Sequence, residues 1–401
     1  MAETKHGNNP ATWLFASAYA ACCFLFWWLT SLLLRYVLNV EDVVEHRFLW
    51  YGVAALLLFL LGYVLPSPKF KRLRTNALRL DRCQDLSWFA TIVIAAPALL
   101  LAGQFAFYRS GVNYGEGESI PFLYQVVLYA HLFFGLLFLG AADDAPENRW
   151  RIWVVALLTI APRVLVSLHW GRFFSAQAIV PIIFIAIARG WVRVTAKRLF
   201  QFAVLALMVV FVPPLTRGDK LRGEDDSGKP ALVSFLQAGT VLVYLQDYLD
   251  LPSPCPPLLV SLTAKVVPYS ALGVCVTDVG DERNLPATLD LVITRELTND
   301  RMRGAGGNYI LELYLTGGVV AVVAGSVIFG FTCRRFIELI GHRSLYAGIW
   351  AECLSRALFA PRGTLGYVYE RIPSLVLATL AVVAVSWAVA VLKRRTGVSM
   401  A

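Results

Sequence analysis

The sequence has few charged residues for its length. Only 16% of its 401 residues are charged, whereas 58% are apolar and the mean hydropathy is +0.62. A water-facing globule must spread charge over its surface, so this composition excludes a soluble domain. We therefore expect lipid to be the main solvent, and the predicted fold class is an all-α polytopic bundle of membrane helices.

Signatures of metal, disulfide-rich, repeat and nucleic-acid-binding proteins are also missing. The seven cysteines form no CxxC pair and no Cys/His cluster, so we predict neither a metal site nor a cofactor. The net charge of +9 lies in short loops beside apolar runs and not in a basic domain, so no nucleic-acid partner is expected. The absence of an internal repeat disfavours an inverted-repeat transporter.

Apolar runs predict about ten transmembrane helices, because roughly 20 apolar residues cross the hydrocarbon core as a helix. The first run contains the triplet Ala18-Tyr19-Ala20, which resembles a signal-peptide cleavage site, but it continues to Leu34 and is interpreted as an uncleaved span. The predicted spans lie near residues 12–34, 47–65, 87–107, 121–141, 152–168, 174–188, 199–215, 308–332, 344–360 and 372–392.

Basic residues predict the orientation of these helices. The connection after the second span carries six Lys or Arg residues against two Asp residues, which is typical of a cytoplasmic loop. Alternation then places three further clusters on the same side: Arg189, Arg193, Lys197 and Arg198; Arg334, Arg335 and Arg343; Lys393, Arg394 and Arg395. Both termini are predicted to be cytoplasmic.

The same alternation divides the chain into three parts. Residues 1–215 hold the first seven predicted helices, 216–307 form a large external domain with short amphipathic helices, and 308–401 hold the last three helices. Conditions outside the cytoplasm permit oxidation of thiols, and the sequence leaves open whether Cys255 and Cys275 in the external domain form a disulfide.

Arginines gather at the predicted external face, where the positive-inside rule disfavours them. They are Arg163, Arg172, Arg217, Arg222, Arg301 and Arg303. The planar guanidinium makes paired hydrogen bonds to phosphate, so we interpret this set as a binding site for a lipid-linked pyrophosphate. The alternative is that these arginines neutralise nearby carboxylates or bind phospholipid headgroups.

The segment GAGGNYILELYLTGG, residues 304–318, is the most informative in the chain. Its glycines allow a sharp turn and close approach where the external domain re-enters the membrane. Asn308, Glu312 and Thr316 recur every four residues and predict one polar stripe on the eighth helix. Glu312 is the sole acidic residue of that span. Its role is either structural or that of a general base. Its expected partner is one of three arginines, Arg163, Arg172 or Arg303.

His169 is a second candidate base, three residues before Arg172 at the predicted bilayer edge. The alternative is that it anchors the helix end at the interface beside Trp170. In the ninth span, Glu352 and Arg356 are four residues apart and are expected to pair with each other.

Together these features resemble the Wzy-type O-antigen polymerases and the related O-antigen ligases. The resemblance covers about residues 160–330 and rests on an external Arg in HWGRFF, a large external loop, and its return through GGNYILELYLTGG. Arg172 matches the first motif, and Glu312 with Tyr314 matches the second. Arg217 and Arg303 match only by their location at the ends of the loop.

The resemblance implies a metal-independent, GT-C-like glycosyltransferase of the bacterial inner membrane, active on the periplasmic face in lipopolysaccharide biosynthesis. It would transfer a growing glycan from undecaprenyl pyrophosphate to the non-reducing end of the next lipid-linked repeat unit. Glu312, His169 and Arg172 would be catalytic, and Asn308 and Tyr314 would join the arginines in binding substrate. The implied partners are the undecaprenyl-pyrophosphate-linked oligosaccharide, membrane lipids and a Wzz-type chain-length co-polymerase.

Three alternatives stay open. Glu41 and Asp42, directly after the first span, would hold a metal in a lipid-phosphosugar GT-C glycosyltransferase. An O-antigen ligase shares the resemblance. A lipid-linked oligosaccharide flippase is the non-enzyme alternative, and it predicts polar groups spread through the bilayer midplane and not clustered at one face.

Overall fold

The computed structural model is almost entirely helical, with no strand, in the residues that it describes. These are residues 10–29, 47–66, 77–109, 122–143, 145, 148–169, 173–198, 201, 309–362, 365–369 and 372–396. The helices are α1 (Pro10–Cys23, continued as a π-helix over Phe24–Leu29), α2 (Arg47–Val64), α3 (Ala77–Arg109), α4 (Phe122–Ala141), α5 (Arg149–His169), α6 (Phe173–Ala188), α7 (Tyr309–Ile340), α8 (Tyr346–Ala357), α9 (Leu365–Tyr369) and α10 (Ile372–Thr396). The all-α membrane fold class is confirmed.

Nine of the ten predicted spans coincide, wholly or in part, with helices of the described residues. By length and composition, four helical stretches are able to cross a membrane, and four shorter helices are apolar. The long stretches are Pro10–Leu29, Leu80–Gln104, Arg149–Ser167 and Thr316–Ile340. The seventh predicted span, 199–215, and the external domain, 216–307, lie outside the described residues apart from residue 201.

Two helices are longer than the apolar runs that predicted them. α3 begins at Ala77, ten residues before the predicted span, and α7 continues to Ile340, eight residues past the predicted end. The added turns carry charged residues, which hydropathy does not count as part of a span. The helix nevertheless continues there, because its backbone hydrogen bonds are made within the helix itself. Hydropathy therefore locates the membrane-embedded part of a helix and not its ends.

The ninth predicted span, 344–360, coincides in part with α8. α8 has 12 residues, a length of about 18 Å, which is shorter than the hydrocarbon core. A 3₁₀ turn follows at Ala360–Arg362, and then comes the five-residue α9. Glu352 and Arg356 are both fully buried on α8. Their pairing stays a prediction.

The chain divides into two compact units. Among the described residues, the first unit contains α1, α2, α7 as far as Arg335, and the stretch from Arg356 to Pro373. The second contains α3 to α6, Phe336–Ser355 and α10 from Ser374.

Close helix packing and an aromatic core hold the first unit together. A Cβ at Gly62 on α2 would lie 2.0 Å from the carbonyl oxygen of Val327 on α7, so the two backbones are in direct contact. Nearby, the rings of Tyr19 and Phe59 stack with centroids 3.9 Å apart, and Phe329 meets Phe59 edge-on at 5.5 Å. Packing in this unit therefore depends on stacked aromatic rings and on glycines that let two helix backbones touch.

In the second unit, the C-terminal carbonyls of α4 are capped by side chains from two loops. Arg189 donates to the carbonyls of Gly140 and Ala142, and Arg343 donates to that of Ala141 at 2.7 Å. Guanidinium groups satisfy the carbonyls that a helix end leaves unpaired and complement its dipole. Two basic clusters that were predicted on one side of the membrane thus meet at one helix end; which side is cytoplasmic stays a prediction.

Candidate functional site

A break in α7 separates Glu312 from the long apolar part of that helix. Gly317 has φ −167° and ψ 32°, and Gly318 has φ +61° and ψ −154°, so the helix is interrupted between Thr316 and Val319. The apolar stretch able to cross a membrane begins at Thr316. Glu312, predicted inside the span 308–332, lies in the helical segment that precedes the break, and its depth in a membrane stays a prediction.

Glu312 is fully buried and accepts a hydrogen bond from a residue that is distant in the sequence. Its Oε2 accepts a hydrogen bond of 2.5 Å from the backbone N–H of Leu365, the first residue of α9. One turn later, the hydroxyl of Thr316 donates to the backbone carbonyl of Glu312 at 2.6 Å. The predicted polar stripe therefore exists over Glu312 and Thr316, while Asn308 lies outside the described residues.

Two buried aromatic residues of the same unit, Trp27 and Tyr309, lie close to each other. Trp27 is fully buried, and its Nε1 donates to the carbonyl of Pro361 at 2.9 Å. The rings of Trp27 and Tyr309 have centroids 6.2 Å apart, and Tyr309 is also fully buried. Tyr314, predicted to bind substrate, is partly buried, and that role stays a prediction. The sequence did not reveal Trp27, because its hydrogen-bond acceptor is 334 residues away.

Arg163 forms a separate polar site in the second unit. It is 1% exposed, with Nη1 3.4 Å from Oε1 of Gln177 and Nη2 3.2 Å from the carbonyl of Leu128. Its guanidinium also lies over the ring of Tyr129, 4.3 Å from the centroid. Contacts from α4, α5 and α6 thus fix the position of one buried cation.

Sequence reasoning missed His131, which belongs to the same region. It follows Leu128 by three residues on α4, so the two lie on one helix face, and it is 1% exposed. Its Nε2 has no hydrogen-bond partner among the described residues. The available signal was an ionisable residue inside the apolar run VVLYAHLFFGLL, a position that is costly without a role.

The other predicted site residues are not brought together by the described structure. His169 ends α5, and its side chain is outside the description. The pairing of Glu312 with an arginine stays a prediction, as do the roles of the remaining candidates. Outside the described residues lie Arg172, Arg217, Arg222, Arg301, Arg303 and Asn308, as well as Glu41, Asp42, Cys255 and Cys275. Within the described ranges, no three His, Cys, Asp or Glu side chains converge as metal ligands would.

The C-terminal part of the chain matches a known protein family. Residues 275–393 match the family described as O-antigen polysaccharide polymerase Wzy. The predicted Wzy-type resemblance is confirmed. The match covers less than a third of the chain and includes Glu312, Tyr314 and the break in α7, whereas the HWGRFF motif at 169–174 lies outside it. No curated protein and no solved structure matches the chain.

At family level, the match supports a polysaccharide polymerase acting in a membrane on lipid-linked oligosaccharides. The Wzy-type region begins in the predicted external domain and ends on α10. It therefore contains α7, α8 and α9, the elements that carry Glu312 and its hydrogen-bond partner.

Proposed function

We propose that the protein polymerises an O-antigen by transferring the growing glycan from undecaprenyl pyrophosphate to the non-reducing end of the next lipid-linked repeat unit. The reaction takes place at the periplasmic face of the bacterial inner membrane. One observation carries the proposal: the Wzy match spans the segment in which a fully buried carboxylate, Glu312, stands directly before a helical stretch that is long and apolar enough to cross a membrane.

In this reaction, the bond between the anomeric carbon and the pyrophosphate oxygen breaks, and a bond from an acceptor hydroxyl oxygen to that carbon forms. The pyrophosphate leaves with the electron pair, and the hydroxyl proton passes to a base. His169 or Glu312 accepts this proton. The leaving group needs charge stabilisation more than protonation, and arginines supply it without a metal.

The pyrophosphate is bound by the external arginines. Among the described residues, Arg163 belongs to this set; it donates hydrogen bonds to Gln177 and to the carbonyl of Leu128 and lies over the ring of Tyr129. Asn308 and Tyr314 bind the glycan. The remaining arginines of the binding set are Arg172, Arg217, Arg222, Arg301 and Arg303.

Reconstitution tests the proposal. The purified full chain in proteoliposomes, supplied with a lipid-linked repeat unit and EDTA, is expected to produce a glycan ladder on a gel. Arg172→Ala and Arg303→Ala are expected to abolish the ladder, because each removes a pyrophosphate contact. Arg193→Ala is the matched control, since this residue belongs to a predicted cytoplasmic loop and its substitution should leave the ladder unchanged.

Other outcomes identify the alternatives. A ladder that requires a divalent metal and disappears in Glu41→Ala would indicate the metal-dependent glycosyltransferase. Transfer of one finished glycan to a different acceptor would indicate a ligase, and movement of substrate across the bilayer without new bonds would indicate a flippase. Co-reconstitution with a Wzz-type co-polymerase is expected to narrow the ladder without being required for it.

A further inference from the structure

The first part of α7 folds back against the rest of that helix. A Cβ at Gly325 would lie 2.5 Å from Cδ2 of Leu313, and the rings of Tyr309 and Phe329 have centroids 5.5 Å apart. A straight helix would hold Tyr309 and Phe329 about 30 Å apart. The chain therefore reverses its direction at the break, and we call residues 309–316 the folded-back segment.

The contacts also show how the two parts of α7 are paired. Three close approaches share one spacing, since each lies four residues further from the turn on both parts. They join residues 317 and 321, 313 and 325, and 309 and 329. This is the pairing of two antiparallel helices in a hairpin. The folded-back segment thus lies alongside the long apolar part of α7 and not beyond its end.

Three buried hydroxyl groups meet where the folded-back segment begins. Tyr309 belongs to that segment, Ser326 to the part of α7 beside it, and Tyr19 to α1. All three residues are fully buried, and the rings of both tyrosines contact Phe329. The hydroxyls of Tyr19 and Ser326 are the neighbours of the Tyr309 hydroxyl. None of the three makes a hydrogen bond within the described part of the chain.

This cluster has the chemistry of a sugar site. A buried hydroxyl without a hydrogen bond costs free energy, so three of them at one place indicate a site that a ligand completes. Each hydroxyl both donates and accepts and none is charged, which suits a neutral ligand with many hydroxyls better than a phosphate. The rings of Trp27 and Phe329 beside Tyr309 offer apolar faces for a sugar ring. Glu312, a candidate base, is about one turn from Tyr309 on the same segment.

We propose that Tyr19, Tyr309 and Ser326 bind a sugar of the lipid-linked repeat unit through their hydroxyls. The inference rests on the proposed polymerase function and deepens it by naming a glycan site within the first unit. Because the three residues are fully buried, the sugar enters when the folded-back segment swings away from the rest of α7. Gly317 and Gly318 form the hinge, since neither has a side chain that restricts rotation of the backbone.

Removing one hydroxyl separates ligand binding from a structural role. Tyr309→Phe deletes an oxygen that has no partner among the described residues, so the unfolding temperature in detergent should equal or exceed that of wild type. In the proteoliposome assay, KM for the lipid-linked unit should rise about three- to tenfold with kcat nearly unchanged, because the sugar loses one hydrogen bond. Tyr19→Phe and Ser326→Ala should act in the same direction.

Tyr63→Phe is the matched control in the same unit. The Tyr63 hydroxyl donates to the carbonyl of Thr12 at 2.7 Å, so its loss should lower the unfolding temperature and leave KM unchanged. The two Tyr→Phe variants thus have opposite expected signatures. A lowered unfolding temperature in Tyr309→Phe, or a normal KM in all three hydroxyl variants, would overturn the inference.

A disulfide tests whether the folded-back segment must move. Leu313→Cys combined with Gly325→Cys places two thiols where the two parts of α7 touch, and removes the methyl groups that a Cβ at residue 325 would meet. The oxidised double variant should lose the ladder and regain it in dithiothreitol, whereas neither treatment should affect wild type. A complete disulfide with an undiminished ladder would overturn the proposed entry of the sugar, and thiols that do not react would contradict the hairpin itself.

Failure of this inference and failure of the proposed function have different outcomes. A wild-type protein that makes no ladder would refute the function, whereas a wild-type ladder with unchanged KM in the hydroxyl variants would refute only the glycan site. Elution as a monodisperse peak in detergent shows which variants fold. A hydroxyl variant that does not fold would contradict the premise, because an oxygen without a partner contributes nothing to stability.

Discussion

Gly318 allows α7 to break next to the candidate site, and replacing it with alanine should remove that break. Its φ of +61° with ψ of −154° lies in a region that essentially only glycine occupies. A Cβ there would meet nothing within 4 Å, so steric crowding adds no cost and the whole penalty comes from the backbone. That penalty is about 1–3 kcal/mol, or roughly 5- to 150-fold in the balance between broken and straightened helix.

A straightened α7 would turn the segment that carries Glu312 relative to the rest of the helix. The hydrogen bond from Leu365 to the Glu312 carboxylate would then be lost. We expect Gly318→Ala to lower the unfolding temperature in detergent and to reduce the yield of the glycan ladder at least tenfold. Thermal unfolding followed by tryptophan fluorescence, with the proteoliposome assay on the same preparation, measures both effects.

Gly103→Ala is the matched control. A Cβ added at Gly103 would also meet no atom within 4 Å, but this residue lies inside α3 with an ordinary helical backbone. Alanine there should stabilise the helix by up to about 1 kcal/mol. If Gly318→Ala and Gly103→Ala behave alike in both assays, the conformational reasoning for the break is wrong.

Three further predictions follow from contacts inside each unit. Gly62→Ala should destabilise the protein by about 1–3 kcal/mol, because its Cβ would collide with a backbone carbonyl of α7; an unchanged unfolding temperature would contradict this. Arg163→Lys should lose most ladder synthesis, because an ammonium group does not reproduce the two hydrogen bonds and the ring contact; full activity in the same assay would show that charge alone suffices. Asp81→Asn should change the free energy of unfolding by less than about 1 kcal/mol, since this side chain is 52% exposed. Arg343→Ala should lower the free energy of unfolding by more in the same measurement, because a carbonyl at the end of α4 loses its donor.

The apolar runs predicted where most helices lie, with small errors at their ends. The run 121–141 corresponds to Phe122–Ala141, and the run 47–65 corresponds to Arg47–Val64. These predictions succeed because an isolated membrane helix satisfies its own backbone hydrogen bonds and needs only a sufficiently long apolar stretch. Glu312 was also identified correctly as a buried carboxylate, from its place as the single acid among apolar residues.

The interruptions and the partners of the buried polar groups could not be predicted in this way. Spacing showed that Gly317 and Gly318 permit a turn, but a glycine pair inside an apolar run is equally compatible with a continuous helix. One hydrogen-bond partner of Glu312 is a backbone N–H 53 residues away, and one of Trp27 is a carbonyl 334 residues away. No local sequence pattern encodes contacts over such distances.

The amino-acid sequence by itself thus determined that this chain is a set of membrane helices, because solvation by lipid acts on each helix separately and depends only on local composition. The tertiary structure decided where α7 is interrupted and where α8 ends. It also decided which oxygen atoms accept hydrogen bonds from Trp27 and Arg163 and which N–H donates to Glu312. A buried polar group takes whichever partner the packing of other helices brings within about 3 Å, and that packing involves the whole chain.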